Sequence, residues 1–218
     1  MLFRSEILKV DAEPFDRRML ESAAACMMRG GVIAFPTDTV YGLGCSLFDP
    51  AAVEQVRRLK QRVPGHAFIS LIPEPAQADG LALAISPVAR RLIQHCWPGP
   101  LSLIFTAGGL VPSAVCGEQG TIALRCPKDP LSYALLQRFG GPVVSSSANL
   151  SGQAPATTAE EVAAIFGNQL ALVLDGGPRL GGVPTTLVDV SGPRPRLLRQ
   201  GALDVRPWLG DFEDATAR

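Results

Sequence analysis

The sequence predicts an α/β fold, a twisted and mostly buried sheet flanked by helices. Three observations predict it. Short continuous apolar runs such as GVIAFP, AFISLI and ALVLD have the length and composition of strands that are buried on both faces. Segments with helix-start and helix-stop residues separate these runs. Hydrophobic residues make up 47% of the 218-residue chain against 18% charged residues, which excludes a disordered or coiled-coil class.

Helices are predicted from their terminal residues. Two glycines close the first helix, the pair Asp49–Pro50 opens the second, and the pair Ser86–Pro87 opens the third. Thr158 and Glu161 fit a capping box that opens the last helix, EEVAAIF. The other predicted helices cover residues 14–29, 50 to about 60, 87–97 and about 130–139.

Apolar runs predict the strands, which in chain order are SEILKV, GVIAFP, AFISLI, LSLIF, TIALR, PVVS, ALVLD, TTLVDV and RLLR. The stretch TDTVYGLGC after the second strand is predicted to be a loop. Residues 1–201 are expected to form a single domain, because the chain contains no internal repeat and no convincing linker. Residues 202–218 are expected to form a peripheral C-terminal tail.

Charge and cysteine content limit the classes of function. The 20 basic and 20 acidic residues give a formal net charge of zero, so an anion-binding site has to be local. The five cysteines are scattered without metal-site spacing, which predicts reduced thiols and no metal centre. No apolar run reaches the roughly 20 residues that span a bilayer, and the first ten residues are unlike a signal peptide. We therefore expect a soluble, cytoplasmic protein without membrane partners.

Polar residues gather directly after four apolar runs, where α/β sheets bind ligands. PTDTVYGLG supplies hydroxyls and two glycines, and SSSANLSG supplies hydroxyls, an amide and backbone N–H groups suited to phosphate oxygens. LKQR places Lys60 and Arg62 before the helix-breaking pair Pro64–Gly65. Arg125 ends the run TIALR, where a buried guanidinium needs an anion, either an acidic side chain or a ligand.

Structural explanations stay open for these stretches. Lys60 and Arg62 could equally complement the dipole at a helix end, and PTDTVYGLG lacks the third glycine of a dinucleotide fingerprint, so it could be an ordinary turn. A nucleophilic serine is disfavoured, because the G-x-S-x-G elbow is absent and only His66 or His95 could act as its base. Hydroxyls and cations are plentiful while paired carboxylates are missing, which indicates a site that binds polyanions and positions reactants.

Eight stretches together resemble the YrdC/YciO family, and most closely its short-form L-threonylcarbamoyladenylate synthases. They are GGVIAFPTDTVYGLGC, LKQR, WPGPLSLIF, TIALRCP, SSSANLSG, DGG, TTLVDV and LLRQGA, in family order from about Gly30 to Gly201. FPTDTVYGLG together with SANLSG is the specific combination. The resemblance implies a YrdC-like α/β fold with a concave, positively lined central cavity.

The resemblance also implies a nucleotidyltransferase reaction. L-Threonine, bicarbonate and ATP, accompanied by Mg²⁺, give L-threonylcarbamoyl-AMP and pyrophosphate. Partner proteins then transfer the threonylcarbamoyl group to an adenosine beside the tRNA anticodon, and the basic cavity would also allow weak direct binding of RNA. Two alternatives stay open, a non-catalytic RNA-binding protein like the YciO branch and a related enzyme that forms another carbamoyl adenylate.

Site residues follow from the resemblance by position. Lys60 and Arg62 would be the catalytic residues, because attack of a carbamate oxygen on the α-phosphorus of ATP needs alignment and charge neutralisation. The residues implied in ATP binding are Lys60, Arg62, His66, Thr121, Ser147, Asn149 and Arg199. Those implied in threonine binding are Thr37, Thr39, Tyr41, Arg125, Ser145 and Thr185, with Arg125 facing the threonine carboxylate.

The chain departs from the family pattern directly after LKQR. Many members read K-x-R-P-x-x-K-P-L, and the corresponding residues that differ here are Val63, His66, Ala67 and Phe68. A histidine that titrates near neutrality thus replaces an expected cation. Leu71 stands where many synthases carry a histidine. PGHAF is closer to the YciO branch, whereas KQR and SSSANLSG follow the synthase pattern.

Overall fold

The computed structural model describes residues 6–10, 13–62, 67–117 and 119–216. Within them, eleven strands form one sheet: Glu6–Lys9 (β1), Ile33–Pro36 (β2), Tyr41–Ser46 (β3), Ile69–Leu71 (β4), Leu101–Thr106 (β5), Thr121–Arg125 (β6), Val143–Ser147 (β7), Leu172–Asp175 (β8), Thr186–Asp189 (β9), Arg196–Arg199 (β10) and Glu213–Asp214 (β11). Their spatial order is β1-β8-β2-β3-β7-β4-β6-β5-β9-β10-β11. The α-helices of the described residues are Arg17–Met28 (α1), Pro50–Leu59 (α2), Ala78–Leu81 (α3), Pro87–Cys96 (α4), Pro130–Phe139 (α5), Ala159–Phe166 (α6) and Arg206–Leu209 (α7).

The predicted helix-start residues cap their helices. Asp49 Oδ1 accepts hydrogen bonds from the first N–H groups of α2 at 3.0 and 3.1 Å, and Ser86 Oγ accepts one from α4 at 3.2 Å. Thr158 Oγ1 likewise accepts from the N–H of Glu161 at 3.2 Å at the start of α6. The Glu161 carboxylate bonds to the N–H of Thr157, at 2.6 Å, instead of that of Thr158. Only the threonine half of the predicted capping box is therefore formed.

Short elements and one helix boundary differ from the prediction. Helix α1 begins at Arg17 rather than at residue 14, because Asp16 accepts from the N–H of Arg18 and so caps the helix there. Helices α3 and α7 and strand β11 were not predicted, since two to four residues carry too little periodicity to be detected. Val205 and Leu209 are fully buried, so the C-terminal residues contribute to the core. The domain limit at residue 201 stays a prediction.

Two hydrophobic layers cover the sheet, one on each face. In β2, Ile33 and Phe35 point into the layer that contains α1 and α5, while Ala34 points into the layer that contains α2, α4 and α6. This alternation follows from the period of two along a strand. The prediction of a buried sheet with helices on both faces is confirmed.

Strand β3 occupies part of the stretch that was predicted to be a loop, and that prediction was wrong. Tyr41, Leu43 and Cys45 are fully buried on one face, so YGLGC alternates as a strand does, with glycine at every second position. The opposite face is too close-packed for side chains, since a Cβ at Gly44 would lie 2.5 Å from the Phe35 ring. Glycine content, which usually indicates loops, here marks a strand with a close neighbour.

Coverage of the sheet by helices is incomplete on the α1 and α5 face. These two helices pack on β2, β3 and β8, toward one end of the sheet. Ile69 and Leu71 are two residues apart in β4, so their side chains point to the same face of the sheet. This is the face that α1 and α5 cover, but β4 lies farther along the sheet. There, between β7, β4 and β6, the sheet borders a cavity instead of a helix.

Candidate active site

A cavity of about 360 Å³ opens on this uncovered part of the sheet. Its volume falls in the range of small-molecule sites. Predicted site residues from distant parts of the chain meet in its wall: Thr37, Thr39, Tyr41, Arg62, Arg125, Ser145, Ser147, Thr185 and Arg199. Ile69, Leu71 and Ser145 lie inside strands, so the cavity occupies the sheet face as well as the strand ends. The strand-end rule applies fully to parallel sheets, and five of the ten pairings between the described strands are antiparallel.

Two arginines of the cavity wall have no carboxylate partner among the described residues. Arg62 Nη2 donates to the carbonyl oxygen of Ala67 at 3.0 Å, and its guanidinium carbon lies 4.9 Å from the centre of the Phe68 ring. Arg199 donates from Nε to the carbonyl oxygen of Thr185 at 2.9 Å and from Nη2 to the Thr185 hydroxyl at 3.2 Å. Burial lowers the pKa of both guanidiniums, although an arginine in a protein keeps its charge. Fixed cations without counter-charges suit an anionic ligand.

The third arginine of the wall, Arg125, is paired with an acidic side chain. Its Nη2 donates to both carboxylate oxygens of Asp38, at 2.6 Å to Oδ1 and slightly closer to Oδ2, and its Nε donates to the carbonyl oxygen of Gly99 at 3.2 Å. The Arg125 side chain is 7% exposed and that of Asp38 is 26% exposed. The sequence predicted either an acidic partner or a ligand for this guanidinium, and the structure supplies the acidic partner.

Hydroxyl groups occupy fixed positions on two parts of the wall. The N–H and hydroxyl of Thr37 both donate to the carbonyl oxygen three residues on, at 3.0 and 2.7 Å, and close a tight turn with Asp38 and Thr39 at its tip. The Thr185 hydroxyl lies 3.1 Å from the Ser102 hydroxyl of β5. These contacts hold the side chains in single orientations, which is what precise placement of a small ligand requires.

Lys60 lies beneath the cavity rather than in its wall. The residue is 3% exposed, and its Nζ donates to the carbonyl oxygen of Ser147, to that of Asn149 at 2.9 Å and to Asn149 Oδ1 at 3.0 Å. Burial, followed by the nearby charge of Arg62, lowers the pKa of Lys60 to about 8. The three N–H groups of the ammonium are thus engaged by protein oxygens. A direct contact with phosphate, as predicted, would require some of these bonds to break.

Asn149 is also outside the cavity wall, and its amide is fully engaged within the SSSANLSG segment. Its Oδ1 accepts from Lys60 and, at 2.6 Å, from the Ser147 hydroxyl. Its Nδ2 donates to the carbonyl oxygens of Leu150 at 2.9 Å and Gln153 at 2.8 Å. Asn149 therefore shapes the segment that presents Ser147 to the cavity.

Two further predicted residues are placed differently from what a ligand contact needs. The Tyr41 hydroxyl donates away from the cavity, to Asp175 Oδ1 at 3.1 Å and to the carbonyl oxygen of Gly177 at 2.9 Å. Burial, then the charge of Asp175, raise the pKa of Tyr41. Thr121 begins β6, about 13 Å along the strand from Arg125 at its end. A nucleotide would have to extend beyond the cavity to reach Thr121.

Several positions that depart from the family pattern lie at the cavity. Ala67 and Leu71 border it together with Ile69, and they form an apolar part of the wall. Leu71 offers no hydrogen bond where a histidine would. Phe68 is fully buried behind this wall. His66 and the other residues of the 63–66 segment lie outside the described residues, so the predicted contact of His66 with ATP stays a prediction.

Three contributors to the site were not among the predicted residues. Asp38 lies between two predicted threonines, and an acidic residue at the tip of that turn was the available signal. Ser102 bonds to Thr185 only because β5 pairs with β9, which a single sequence does not reveal. Gly201 packs against the backbone of residues 184–186, and a Cβ there would lie 2.2 Å from the carbonyl oxygen of Pro184. Pro184 and Thr185 border the cavity, so Gly201 supports this part of its wall.

A larger open groove, of about 880 Å³, lies elsewhere on the surface. Its wall includes the exposed apolar side chains of Met28, Phe48 and Leu110. Asp49, its charged member, accepts hydrogen bonds from the first turn of α2. Size alone would favour this groove, but the smaller cavity contains the cations and hydroxyls that chemistry on anions requires.

Comparison with known proteins identifies the family to which the chain belongs. A family model described as Sua5/YciO/YrdC, telomere recombination, matches residues 25–201. This range contains all the cavity residues named above. The chain therefore belongs to the Sua5/YciO/YrdC family, as its motifs predicted.

Individual relatives include both synthases and YciO. The chain is 39% identical over 157 residues to a protein of Coxiella burnetii named threonylcarbamoyl-AMP synthase, with 72% of this chain and 84% of the relative covered. It is 31% identical over 207 residues to a protein of Escherichia coli named uncharacterized protein YciO, with 94% of this chain and 100% of the relative covered.

Solved structures of the family share the fold. The crystal structure of Pyrococcus abyssi Sua5 complexed with L-threonine matches with a TM-score of 0.89 and 32% identity, over 95% of this chain and 62% of the Sua5 chain. This chain thus spans less than two thirds of the length of Sua5. The crystal structure of Escherichia coli YciO matches with a TM-score of 0.86 and 31% identity, over 94% of this chain and 100% of that one. The predicted YrdC-like α/β fold is confirmed.

Proposed function

We propose that this chain is an L-threonylcarbamoyladenylate synthase, which converts L-threonine, bicarbonate and ATP into threonylcarbamoyl-AMP and pyrophosphate. The observation that carries the proposal is the meeting of Arg62, Arg125 and Arg199 with several fixed hydroxyls in one small cavity. A carboxylate and a polyphosphate are anions that such a cavity can hold side by side. Relatives named threonylcarbamoyl-AMP synthase, and a Sua5 structure complexed with L-threonine, support the choice of these substrates.

The amino-acid half of the proposed site centres on Arg125. Its Nη1 makes no hydrogen bond to the described residues and would donate to the threonine carboxylate. The hydroxyls of Thr39, Ser145 and Thr185 surround this position in the wall and would orient the rest of the amino acid. Once the ammonium has given one proton to solvent, the nitrogen fixed in this way attacks the carbon of bicarbonate, and water leaves as the carbamate forms.

The nucleotide half would use Arg62, Arg199 and Ser147, whose hydroxyl would turn from Asn149 Oδ1 to donate to the nucleotide. A carbamate oxygen forms a bond to the α-phosphorus of ATP, while the bond from that phosphorus to the oxygen bridging the β-phosphate breaks and pyrophosphate leaves. Negative charge accumulates on the phosphate oxygens, and the two guanidiniums would neutralise it. In this scheme Lys60 acts mainly by holding the segment that carries Ser147. Asn149 would share that task.

Magnesium would enter with the nucleotide. The described residues contain no group of three or more His, Cys, Asp or Glu side chains that could hold a metal ion. Mg²⁺ keeps several waters and is commonly held by substrate phosphates with one or two carboxylates. The residues of the cavity therefore suit an ion bound to the phosphates of ATP better than a resident protein-held ion.

The product would serve a further transfer reaction. A carbamoyl adenylate is a mixed anhydride, so its threonylcarbamoyl group is activated for attack by an amine. The proposed acceptor is the adenosine beside the tRNA anticodon, reached through partner proteins in the cytoplasm. In the described part of the chain no helix combines the length and apolar character of a membrane span.

Release of pyrophosphate tests the proposal. Purified, folded protein with ATP, Mg²⁺ and bicarbonate is expected to release pyrophosphate only when L-threonine is added, and mass spectrometry should detect threonylcarbamoyl-AMP. Absence of threonine-dependent release would overturn it. Turnover with carbamoyl phosphate in place of threonine and bicarbonate would indicate the related carbamoyl-adenylate enzyme. Steeply salt-dependent RNA binding without turnover would indicate the non-catalytic alternative.

A further inference from the structure

The pair of Asp38 and Arg125 leaves hydrogen-bonding groups unused on both sides. Both Asp38 oxygens accept from the single atom Nη2 of Arg125, and the described residues supply no other donor to this carboxylate. A carboxylate offers about four lone-pair sites, so roughly two stay available. Arg125 Nη1 is unused as well, and about a quarter of the Asp38 side chain is exposed. Arg125 borders the cavity, and Asp38 adjoins it through its bond to Arg125 and through its chain neighbours Thr37 and Thr39, which are in the wall.

This charge arrangement favours one class of ligand. An unpaired arginine attracts any carboxylate, including hydroxy acids and dicarboxylates. With Asp38 attached, the net charge of the pair is zero, so the pair itself adds little long-range attraction for a simple anion to that of Arg62 and Arg199, which belong to the nucleotide half. An α-amino acid carries both charges, and its ammonium and carboxylate can complement Asp38 and Arg125 together. Specificity then depends on the repulsive element, Asp38, as much as on the attractive one.

We propose that Asp38 is a specificity-determining residue that selects zwitterionic α-amino acids by holding their ammonium group while Arg125 holds their carboxylate. The inference rests on the proposed function, because it assigns a role within the amino-acid half of that site. The turn geometry supports it. Asp38 is at the tip of the turn closed by Thr37, beside Thr39, and both threonines border the cavity. Its carboxylate is therefore held next to the place where the amino acid would bind.

A purely structural role for Asp38 makes a different prediction. If the carboxylate only orients Arg125, its removal weakens every carboxylate ligand to a similar degree. If it recognises the ammonium, its removal weakens amino acids while leaving the matching hydroxy acids unchanged or tighter. The ratio of two affinities therefore separates the explanations, where a single affinity does not.

The experiment uses isothermal titration calorimetry on the full chain with L-threonine and with 2,3-dihydroxybutanoate of matching configuration, which has a hydroxyl in place of the ammonium. Wild-type protein is expected to prefer threonine by about tenfold or more, as for hydrogen bonds to charged groups. Asp38→Asn should lower this preference by about tenfold. The matched control is Asp79→Asn, which alters an exposed aspartate paired with Arg90 away from the cavity and should leave the ratio unchanged.

An unchanged ratio in Asp38→Asn would overturn the inference, as would a wild-type protein that binds the hydroxy acid as tightly as threonine. Circular dichroism checks the fold of the variant, and Asp38→Ser gives the same readout if the asparagine variant does not fold. Failure of the inference stays distinct from failure of the proposed function. If wild-type protein releases pyrophosphate in a threonine-dependent way but the affinity ratio is unchanged in Asp38→Asn, the inference alone is wrong. If wild-type protein neither binds threonine nor releases pyrophosphate, the proposed function is wrong.

Discussion

Two pairs of residues from the motifs K-x-R and S-x-N separate into two layers of the site. Arg62 and Ser147 border the cavity and form a contact layer. Lys60 and Asn149 lie behind them, 3% and 7% exposed, and form a support layer. In the support layer the ammonium and the amide are engaged by protein groups, whereas Arg62 has no carboxylate partner among the described residues.

The difference shows that residues of the same motif can serve one function by different physical means. A buried ammonium that bonds to three oxygens of one segment fixes that segment, and its positive charge stays close beneath the cavity. An arginine stacked on Phe68 keeps most of its donors for a ligand. Substitutions in the contact layer should therefore change turnover, and substitutions in the support layer should change stability as well.

The largest effect is expected for Arg62→Ala. Loss of a cation that neutralises the phosphates should lower kcat/KM for ATP by about 1000-fold, or about 4 kcal/mol. The free energy of unfolding should change by less than about 1 kcal/mol, the usual size of a cation–π contact. Pyrophosphate release and chemical denaturation measure the two quantities. Arg58→Ala, an exposed arginine on α2, is the matched control and should leave both unchanged. An unaffected rate in Arg62→Ala would remove Arg62 from the contact layer.

Lys60→Met should mainly affect stability. It removes three hydrogen bonds from a charged donor, at about 1 to 2 kcal/mol each, because the Ser147 carbonyl keeps the N–H of Asn149 and Asn149 Oδ1 keeps the Ser147 hydroxyl. It also relieves roughly 3 kcal/mol of unfavourable burial and repulsion from Arg62. The expected net loss in unfolding free energy is about 2 kcal/mol, measured by chemical denaturation. Lys128→Met, at an exposed lysine, is the control and should be neutral. A stable Lys60→Met variant with a raised KM for ATP would place Lys60 in the contact layer, and the separation between the contact layer and the support layer would then be wrong.

The pH dependence of stability sharpens the same contrast. The pKa of Lys60 is lowered to about 8 in the folded chain from the ordinary value of 10.5, so unfolding takes up a proton between these pH values. The contribution of Lys60 to stability is therefore constant well below pH 8 and rises with pH toward 10.5. By pH 9 the rise would be at most about 1.4 kcal/mol. The stability difference between wild type and Lys60→Met should grow from pH 7 to 9, and a constant difference would contradict the lowered pKa.

Much of the fold could be predicted because its elements are marked locally. Apolar runs identified the strands, and residues such as Asp49 and Ser86 identified helix starts, since both signals lie within a few residues. Strand β3 was missed because its glycines are needed beside close neighbours on other strands, Gly44 beside Phe35 and Gly42 beside Ser145, which local sequence does not show. The strand order has the same limitation, because pairings such as β3 with β7 join residues about 100 positions apart.

The sequence predicted which residues belong to the site, but not which of them are in the contact layer and which are in the support layer. Residue types and motifs identified Lys60, Arg62, Ser147 and Asn149 together, because all are polar residues at or just beyond the end of a helix or strand. Burial decides which of them can contact a ligand, and burial depends on tertiary packing of α2 against the segment after β7. Asp38 was overlooked for the same reason, since its partner Arg125 lies 87 residues away.

The smallest effect is expected for Ser147→Ala, which tests the second member of the contact layer. Its hydroxyl donates to Asn149 Oδ1 at 2.6 Å, and that oxygen keeps its bond from Lys60 when the hydroxyl is removed. Stability should therefore change by less than about 1 kcal/mol, while kcat/KM for ATP falls about five- to tenfold. Ser113→Ala, an exposed serine away from the cavity, is the matched control for both measurements. A stability loss as large as that of Lys60→Met would move Ser147 into the support layer, and an unchanged rate would show that the nucleotide is held without its hydroxyl.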